Sequence, residues 1–506
     1  MKTLRLTRRT TGQTFLWFLA AIAASCMMLL IVYNVGQVSN AKEKTTNAAD
    51  SVAMSGGLVQ ARGMNLMAYT NRAMIANEVT IAQLASVDTW VKFNYQFAAN
   101  LNTVGQFIPI IGDFTTALQD VMEAIYDVVN EGVGFLIPIF DDIVQALDVQ
   151  RYAILIATPL AANDAANEAA NENSVQMNGN LAFSTLAALD NWNKYWNPSM
   201  PNSLLVDHSK NSGQNGQDDR SDAQQIISNS RDQFSSDREA GKMIDWMNRL
   251  AAFSPLTIQL NKSSGSAELV DPDHWEVQDS MEQSLALCYI VGCTSLVSGP
   301  LAWARANVNN DNSNGNDWVS EGRCKNGASW FSACYFAWWA DYPSGPDQFS
   351  GFSGVPEMFD VQDQKRQNAA LYYFVSVTKS ASTTSTAQNL GIDNPASDPG
   401  SALGSPRLTD ALNNNELPAI SSARIFFFRP KRDPNADPTA ITAQNLTRED
   451  NVKEYASLYN PYWQTRLHTP NCKLLSNPGS DDCNWRMLLY TGSGQLPAQL
   501  VIDAMP

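Results

Sequence analysis

The sequence predicts an α+β protein: an N-terminal transmembrane helix continuing into a helical stalk or bundle, then a disulfide-braced mixed α/β domain. Three observations predict it. An uncharged apolar run lies near the N-terminus, and a proline-free stretch rich in Ala and Met follows it. Short β-rich runs separated by Gly- and Pro-containing loops then fill the C-terminal half, together with six cysteines. The expected order is a basic cytoplasmic segment over 1–12, an anchor over 13–36, and a helical stalk or bundle over 37–196. A linker or loop over 197–222 leads to a mixed α+β periplasmic or extracellular domain over 223–506.

The anchor comes first. From Thr10 to Ala41 there is no charged residue, and Phe15 to Tyr33 is almost wholly apolar. About 20 such residues in a helix span a bilayer core. Lys2, Arg5, Arg8 and Arg9 precede the run, so the positive-inside rule places the N-terminus in the cytoplasm and exports the body. Two alternatives compete: a signal peptide cleaved at Ser39-Asn40-Ala41, and a lipoprotein signal at Ala23-Ala24-Ser25-Cys26. The first needs a shorter apolar core, and the second needs the run to stop at Cys26, where it continues instead.

The helical part follows. Residues 42 to about 103 lack proline, and Val52, Val59 and Leu66 recur every seven residues, as do Met67, Met74 and Ile81. That period predicts helices packed at a shallow angle. Gly56, Gly57 and Gly63 are expected to kink the helix or let another backbone come close. Phe107 to Gly112 and Val133 to Phe140 are too short to cross a bilayer and predict buried helices or turns in a helical bundle, with a membrane-facing patch as the alternative. Another helix is expected from Asp141 toward Trp192, broken near Pro159. It contains an Ala-Ala-Asn-acid repeat whose Asp164, Glu168 and Glu172 share one solvated face.

Composition shifts near Trp196-Asn197-Pro198 into a polar loop, and a helix is expected from Ser221 to about Ala252. Strand-like runs cover Leu256 to Leu260, Tyr289 to Leu296, Ala370 to Val377 and Ala423 to Phe428. Cys26 sits in the span. The other six cysteines lie beyond it, an even number in an exported chain, which reads as disulfides. Their spacing favours the local couples Cys288–Cys293, Cys324–Cys334 and Cys472–Cys483.

The composition excludes several classes of function. The chain has 506 residues, 44% of them hydrophobic, enough for a sizeable core and too many for full disorder. Lys and Arg total 34 against 50 Asp and Glu, a formal net charge of −16. An acidic body repels phosphate backbones, so no nucleic-acid partner is expected. None of His208, His274 and His468 belongs to two closely spaced pairs of His or Cys, as a structural zinc site needs. No GxGxxG, P-loop or GxSxG occurs. No catalytic residue, cofactor or metal is therefore expected.

Weak candidates for chemistry are three. Asn310 to Gly315 with Glu321 approximates a calcium loop whose first ligand is Asn; an Asn-rich turn fits the same text. Asp273-His274-Trp275 could orient a histidine, but no nucleophile stands beside it. Trp303, Trp318, Trp330, Trp338 and Trp339 form an aromatic cluster suited to a disulfide-braced core or to a contact surface.

Family-like text lies at both ends. Gly12-Gln13 precedes the span, Val35-Gly36-Gln37 leaves it, and Asn47-Ala48-Ala49-Asp50 opens a run of small residues to Gly56-Gly57. Tyr69 to Met74 and Leu458-Tyr459-Asn460-Pro461-Tyr462-Trp463-Gln464 add to the pattern. These stretches resemble the TadE/TadG-like proteins of the tight-adherence (Tad, Flp-type) pilus machinery. Pilin-like members cut by prepilin peptidase carry Glu at the fifth position after the cleaved glycine; here it is Trp17. The Asp-x-Ser-x-Ser metal site of some relatives is approached only by Asp207 to Asn211.

The resemblance implies a non-enzymatic, membrane-anchored structural protein of a Tad-type pilus or secretion system. Its partners would be the inner membrane and other pilus or secretion proteins. An alternative is a surface-displayed adhesin or carbohydrate-binding protein using the Trp-rich region; a periplasmic hydrolase is a third class.

Overall fold

The structure is a computed structural model. It describes residues 13–105, 112–177, 204–208, 220–238, 256–289, 292–310, 346–362, 366, 369–380, 416–429 and 454–468. Helix α1 (Gln13–Gly105) runs unbroken for 93 residues, as the absence of proline and the surplus of Ala, Met, Leu and Gln allow. Helix α2 (Gly112–Glu172) is also continuous, and the expected break at Pro159 does not occur. Proline removes one ladder bond and costs about 3 kcal/mol. Burial of Ile154 and Leu155 on one side of Pro159, and of Ala162 and Ala166 on the other, opposes that loss. The helix ends at Glu172, well short of Trp192. Asp164, Glu168 and Glu172 are exposed, as the repeat predicted.

Compactness groups the chain into two units. The first comprises 1–66, 154–205 and 361–506, and the second 67–153 and 206–360.

In the first unit, four strands form an antiparallel sheet in the order β1, β8, β9, β10: β1 (Gln176–Met177), β8 (Ala370–Ser380), β9 (Glu416–Phe427) and β10 (Trp463–His468). Along β8, Leu371, Tyr373, Val375 and Val377 are buried while Ala370, Tyr372, Phe374 and Ser376 are only half-buried, the period-two signature of a sheet covered on one face. The Tyr373 hydroxyl donates to the Ala162 carbonyl of α2 at 3.3 Å.

In the second unit, β3 (Leu256–Asp271), β4 (His274–Tyr289) and β5 (Gly292–Asn309) make an antiparallel meander, with β6 (Asp347–Phe349) added in parallel to β5. The expected strand from Tyr289 to Leu296 is a correction: Tyr289 faces Gly292, so that run straddles the end of a hairpin. Its described residues belong to the ends of two strands.

Phe93 of α1 packs with Met281, Leu301, Ala302 and Ala304 of the meander. In place of an unbroken helix from Ser221, the chain forms helix α3 (Ser221–Ser230) and the single turn α4 (Gln233–Ser236); the rest of the expected helix, 239–252, lies outside the described residues. After α4, Arg238 forms a buried ion pair with Asp279 at 2.9 Å, and Thr89 donates to the same carboxylate at 2.9 Å. Short strands β2 (Leu205–His208) and β7 (Met358–Val361) pair with each other.

Within the second unit α1 and α2 run antiparallel. Asn102 accepts from Thr115 at 2.9 Å and donates to Gln119 at 2.8 Å, while the Tyr95 and Tyr126 rings stack 5.8 Å apart.

Candidate functional site

The first feature is the start of α1. Over its most apolar window the mean hydropathy is 2.5 and none of the residues is buried. Trp17 is 77% exposed. Water penalises such surface by about 25 cal/mol per Å², whereas a bilayer core accepts it. This helix could span a membrane. The Ser25 hydroxyl donates to the Ala21 carbonyl at 2.8 Å, so even its polar group is satisfied inside the helix. Cys26 is exposed on the same stretch. Burial begins at Asn34 and Ala41, where the apolar run gives out.

The second feature, in the first unit, is a helix–sheet seam. Asn47 is exposed, but Ala48, Ala49, Val52 and Ala53 are buried. Asp50 accepts a hydrogen bond from the Ser421 hydroxyl of β9. Gly56 faces the Tyr373 ring so closely that an added Cβ would fall inside it. At Gly57 an added Cβ would lie 2.7 Å from Ala423 Cβ and 2.8 Å from Thr465 Oγ1. Gly63 meets Thr158 of α2 in the same way. The small residues therefore let strands β8, β9 and β10 approach the helix axis.

One turn on, Asn65 binds the backbone of Trp463 through both its amide N–H and its carbonyl. Trp463 is buried, donates its indole N–H to the Ser457 carbonyl at 3.1 Å and meets the Phe427 ring edge-on. The C-terminal family-like stretch thus meets α1 between the two family-like stretches of that helix, at Asn65.

The third feature lies in the second unit. Glu78 is fully buried on α1. Desolvation, then the charge of Asp141, pushes its carboxyl up to about 8, while the Trp275 side chain and Arg220 pull it down. Asp141 accepts from the Ser353 N–H at 2.9 Å and hydroxyl at 2.8 Å. Arg220 holds Asp273 bidentately at 3.0 and 2.9 Å and donates to the Val355 carbonyl at 2.7 Å. Gly354, at φ +92°, lets that loop pass Asp273, which a Cβ would strike. A shallow cavity of about 300 Å³ opens between Arg220, Ser353, Gln145 and Tyr152.

Further along α1, Asp88 is buried, and desolvation followed by the nearby Asp347 raises its carboxyl well above the usual range. Asn130 donates to Asp88 at 3.0 Å; Lys92 and Tyr126 donate to Asp347 at 2.7 and 2.9 Å. Among the described residues no three His, Cys, Asp or Glu side chains are placed to hold a metal. These carboxyls escaped the sequence reading. Their only signal is an acid at a position where the helical period calls for an apolar residue, as Glu78 stands between Met74, Ile75, Ile81 and Ala82.

The other candidates separate. Cys288 and Cys293 are directly opposed Cα partners across β4 and β5. Gly12, Cys324, Cys334, Cys472 and Cys483 lie outside the described residues, as do Trp318, Trp330, Trp338, Trp339 and the calcium-like loop after Asn310. Trp303 is buried on β5. In the Asp273-His274-Trp275 run, Asp273 is committed to Arg220 and Trp275 to the core beside Glu78.

Residues 12–61 match the Tad family model. Its description is "Putative Flp pilus-assembly TadE/G-like". Among the curated proteins and the solved structures, none matches the chain. The Tad match takes in the exposed apolar run, Asn47 to Asp50 and the glycines at 56 and 57. A Tad segment of this kind supports a pilus-associated role.

Proposed function

We propose that this protein is a non-enzymatic, single-pass structural component of a Tad-type pilus or secretion system, with a cytoplasmic N-terminus and a periplasmic body. One observation carries the reading: within the Tad-matched segment, an apolar run with none of its window buried passes without a break into a helix packed by small residues. Such a helix joins a bilayer anchor to a folded body. The leading cations set the orientation, and an even number of cysteines beyond the span suits an oxidising compartment. Its partners are other pilus or secretion proteins in the same membrane.

Protease added to spheroplasts tests the topology: the body should be digested and the span retained in the membrane with its N-terminal peptide. Replacing Phe18, Leu29 and Leu30 by Asp should block insertion, since each acid costs about 2.5–3.5 kcal/mol near mid-span. A mature chain that starts after Ala41, or a body resistant to protease until the cells are lysed, would overturn the reading. Co-purification of pilus or secretion proteins from native membranes tests the assignment to the machinery.

A further inference from the structure

The part of α2 in the second unit leaves a long apolar stripe uncovered. Phe114, Val121, Ile125, Val128, Phe135 and Ile139 are all exposed, Val128 at 72% and Phe135 at 69%. At 100° per residue they fall within roughly 40° of one line along the helix. From Val121 to Ile139 the steps alternate between four and three residues if Gly132 is counted in the line, which is the spacing of a coiled-coil seam. Gly132 is a notch in that seam: a Cβ added there would meet nothing within 4 Å. A row of exposed acids, Asp113, Asp120, Asp127, Glu131 and Asp142, follows the stripe along one flank. Between Gly112 and Gln150 the helix carries no Lys or Arg.

We propose that this face docks an amphipathic helix of another protein, with apolar residues at heptad spacing and Lys or Arg along one flank. The stripe supplies the apolar seam, Gly132 admits a large side chain of the partner, and the acid row sets its charge and register. From Phe114 to Ile139 the stripe is about 38 Å long, the length of a helix of about 25 residues. A second copy of α2 would bring no positive charge. It would set the acid row against itself or against the apolar shoulder formed by the half-buried Met122 and Val129. An anionic lipid surface is repelled by the same acids. The inference does not depend on the pilus reading.

The test uses the full-length protein in nanodiscs of zwitterionic lipid and three synthetic helical peptides. One carries Leu and Ile at heptad positions with a flank of Lys; the second has Glu on that flank; the third scrambles the first. The Lys peptide should bind at least about tenfold more tightly than the others and weaken as salt rises. Joint replacement of Asp120, Asp127 and Glu131 by Lys should reverse the preference toward the Glu peptide. Gly132→Leu, which fills the notch from an open position, should weaken binding while leaving the circular dichroism spectrum unchanged. A Lys peptide that does not bind, or binds no better than the scrambled one, overturns the proposal. So does a charge reversal without effect on peptide preference. Self-association of the protein abolished by Val128→Asp, or binding to anionic vesicles in place of the peptide, would assign the face to a second copy or to lipid instead.

Discussion

Asn65 and Trp463, almost four hundred residues apart in sequence, form a closed pair. The Asn65 amide donates to the Trp463 carbonyl at 2.9 Å, and its own carbonyl accepts the Trp463 N–H at 2.8 Å. The side chain thus does for β10 what a neighbouring strand would do, satisfying both backbone groups at the first residue of that strand. Ala61 and Met64 are buried around it. The pair belongs to the seam in which Gly56 and Gly57 accept Tyr373, Ala423 and Thr465.

Replacing Asn65 separates hydrogen bonding from packing. Asn65→Leu keeps the branched shape and strips both partners, leaving a buried N–H and C=O unpaired, at a cost of about 1–3 kcal/mol. Asn65→Asp keeps the acceptor but sets a charge against the Trp463 carbonyl, so it should cost at least as much at neutral pH and less in acid. Hydrogen exchange at Trp463 to His468 should report the loss directly. Unchanged exchange there in Asn65→Leu would show that the pair contributes nothing.

The same substitution should have opposite signs at two glycines of the long helices. Gly56→Ala places a methyl group inside the Tyr373 ring position and forces a shift, at a cost of about 1–3 kcal/mol. Gly132→Ala meets nothing within 4 Å and should stabilise by about 0.5–1 kcal/mol, because it removes the backbone entropy of glycine from a helix. Thermal melting of the two variants checks the sign. A stabilising Gly56→Ala would mean the helix and sheet are not in contact there.

How much of this was legible depends on how local the cause is. The apolar run and α1 could be read because their signals, hydropathy and missing proline, lie within the helix itself. The glycines announced a close approach, but the partner at Gly56 is the Tyr373 side chain, which no local pattern names, and the helix continues through without a break. Pro159 misled because its local penalty is outweighed by packing on both sides. Glu78 was illegible for the same reason in reverse. Its environment is made by Asp141, Arg220 and Trp275, brought together only by the fold.

The paired strand ends at Cys288 and Cys293 predict a cystine. Directly opposed residues in an antiparallel pair have Cα atoms about 4.5–5.5 Å apart, inside the range of about 4.4–6.8 Å that a disulfide spans. Its loop is short, so the chain-entropy gain is about 2 kcal/mol. Peptide mapping without reductant should recover Cys288 linked to Cys293. A link from either cysteine to Cys472 or Cys483 would refute the pairing.

The buried carboxyls make the second unit sensitive to pH. The Glu78 carboxyl is raised from the ordinary 4.5 to about 8, and burial raises Asp88 in the same direction. Between the unfolded and folded values, the folded state holds a proton that the unfolded state has released. Stability therefore falls as pH rises through that window, by up to about 1.4 kcal/mol per pH unit for each such group. For Glu78 the contribution is fully present below about pH 4.5 and lost as pH passes about 8. Glu78→Gln replaces the protonated acid by a neutral group of the same shape, so the variant should lose much of the decline between pH 5 and 8. Asp88→Asn should act likewise, and the double variant should show the flattest profile. Urea unfolding at several pH values, followed by tryptophan fluorescence, to which buried Trp275 and Trp303 contribute, measures the slope. If Glu78→Gln keeps the full wild-type slope, the carboxyl is ionised in the folded protein, and the Arg220 and Trp275 side chains stabilise it more than burial and Asp141 oppose it.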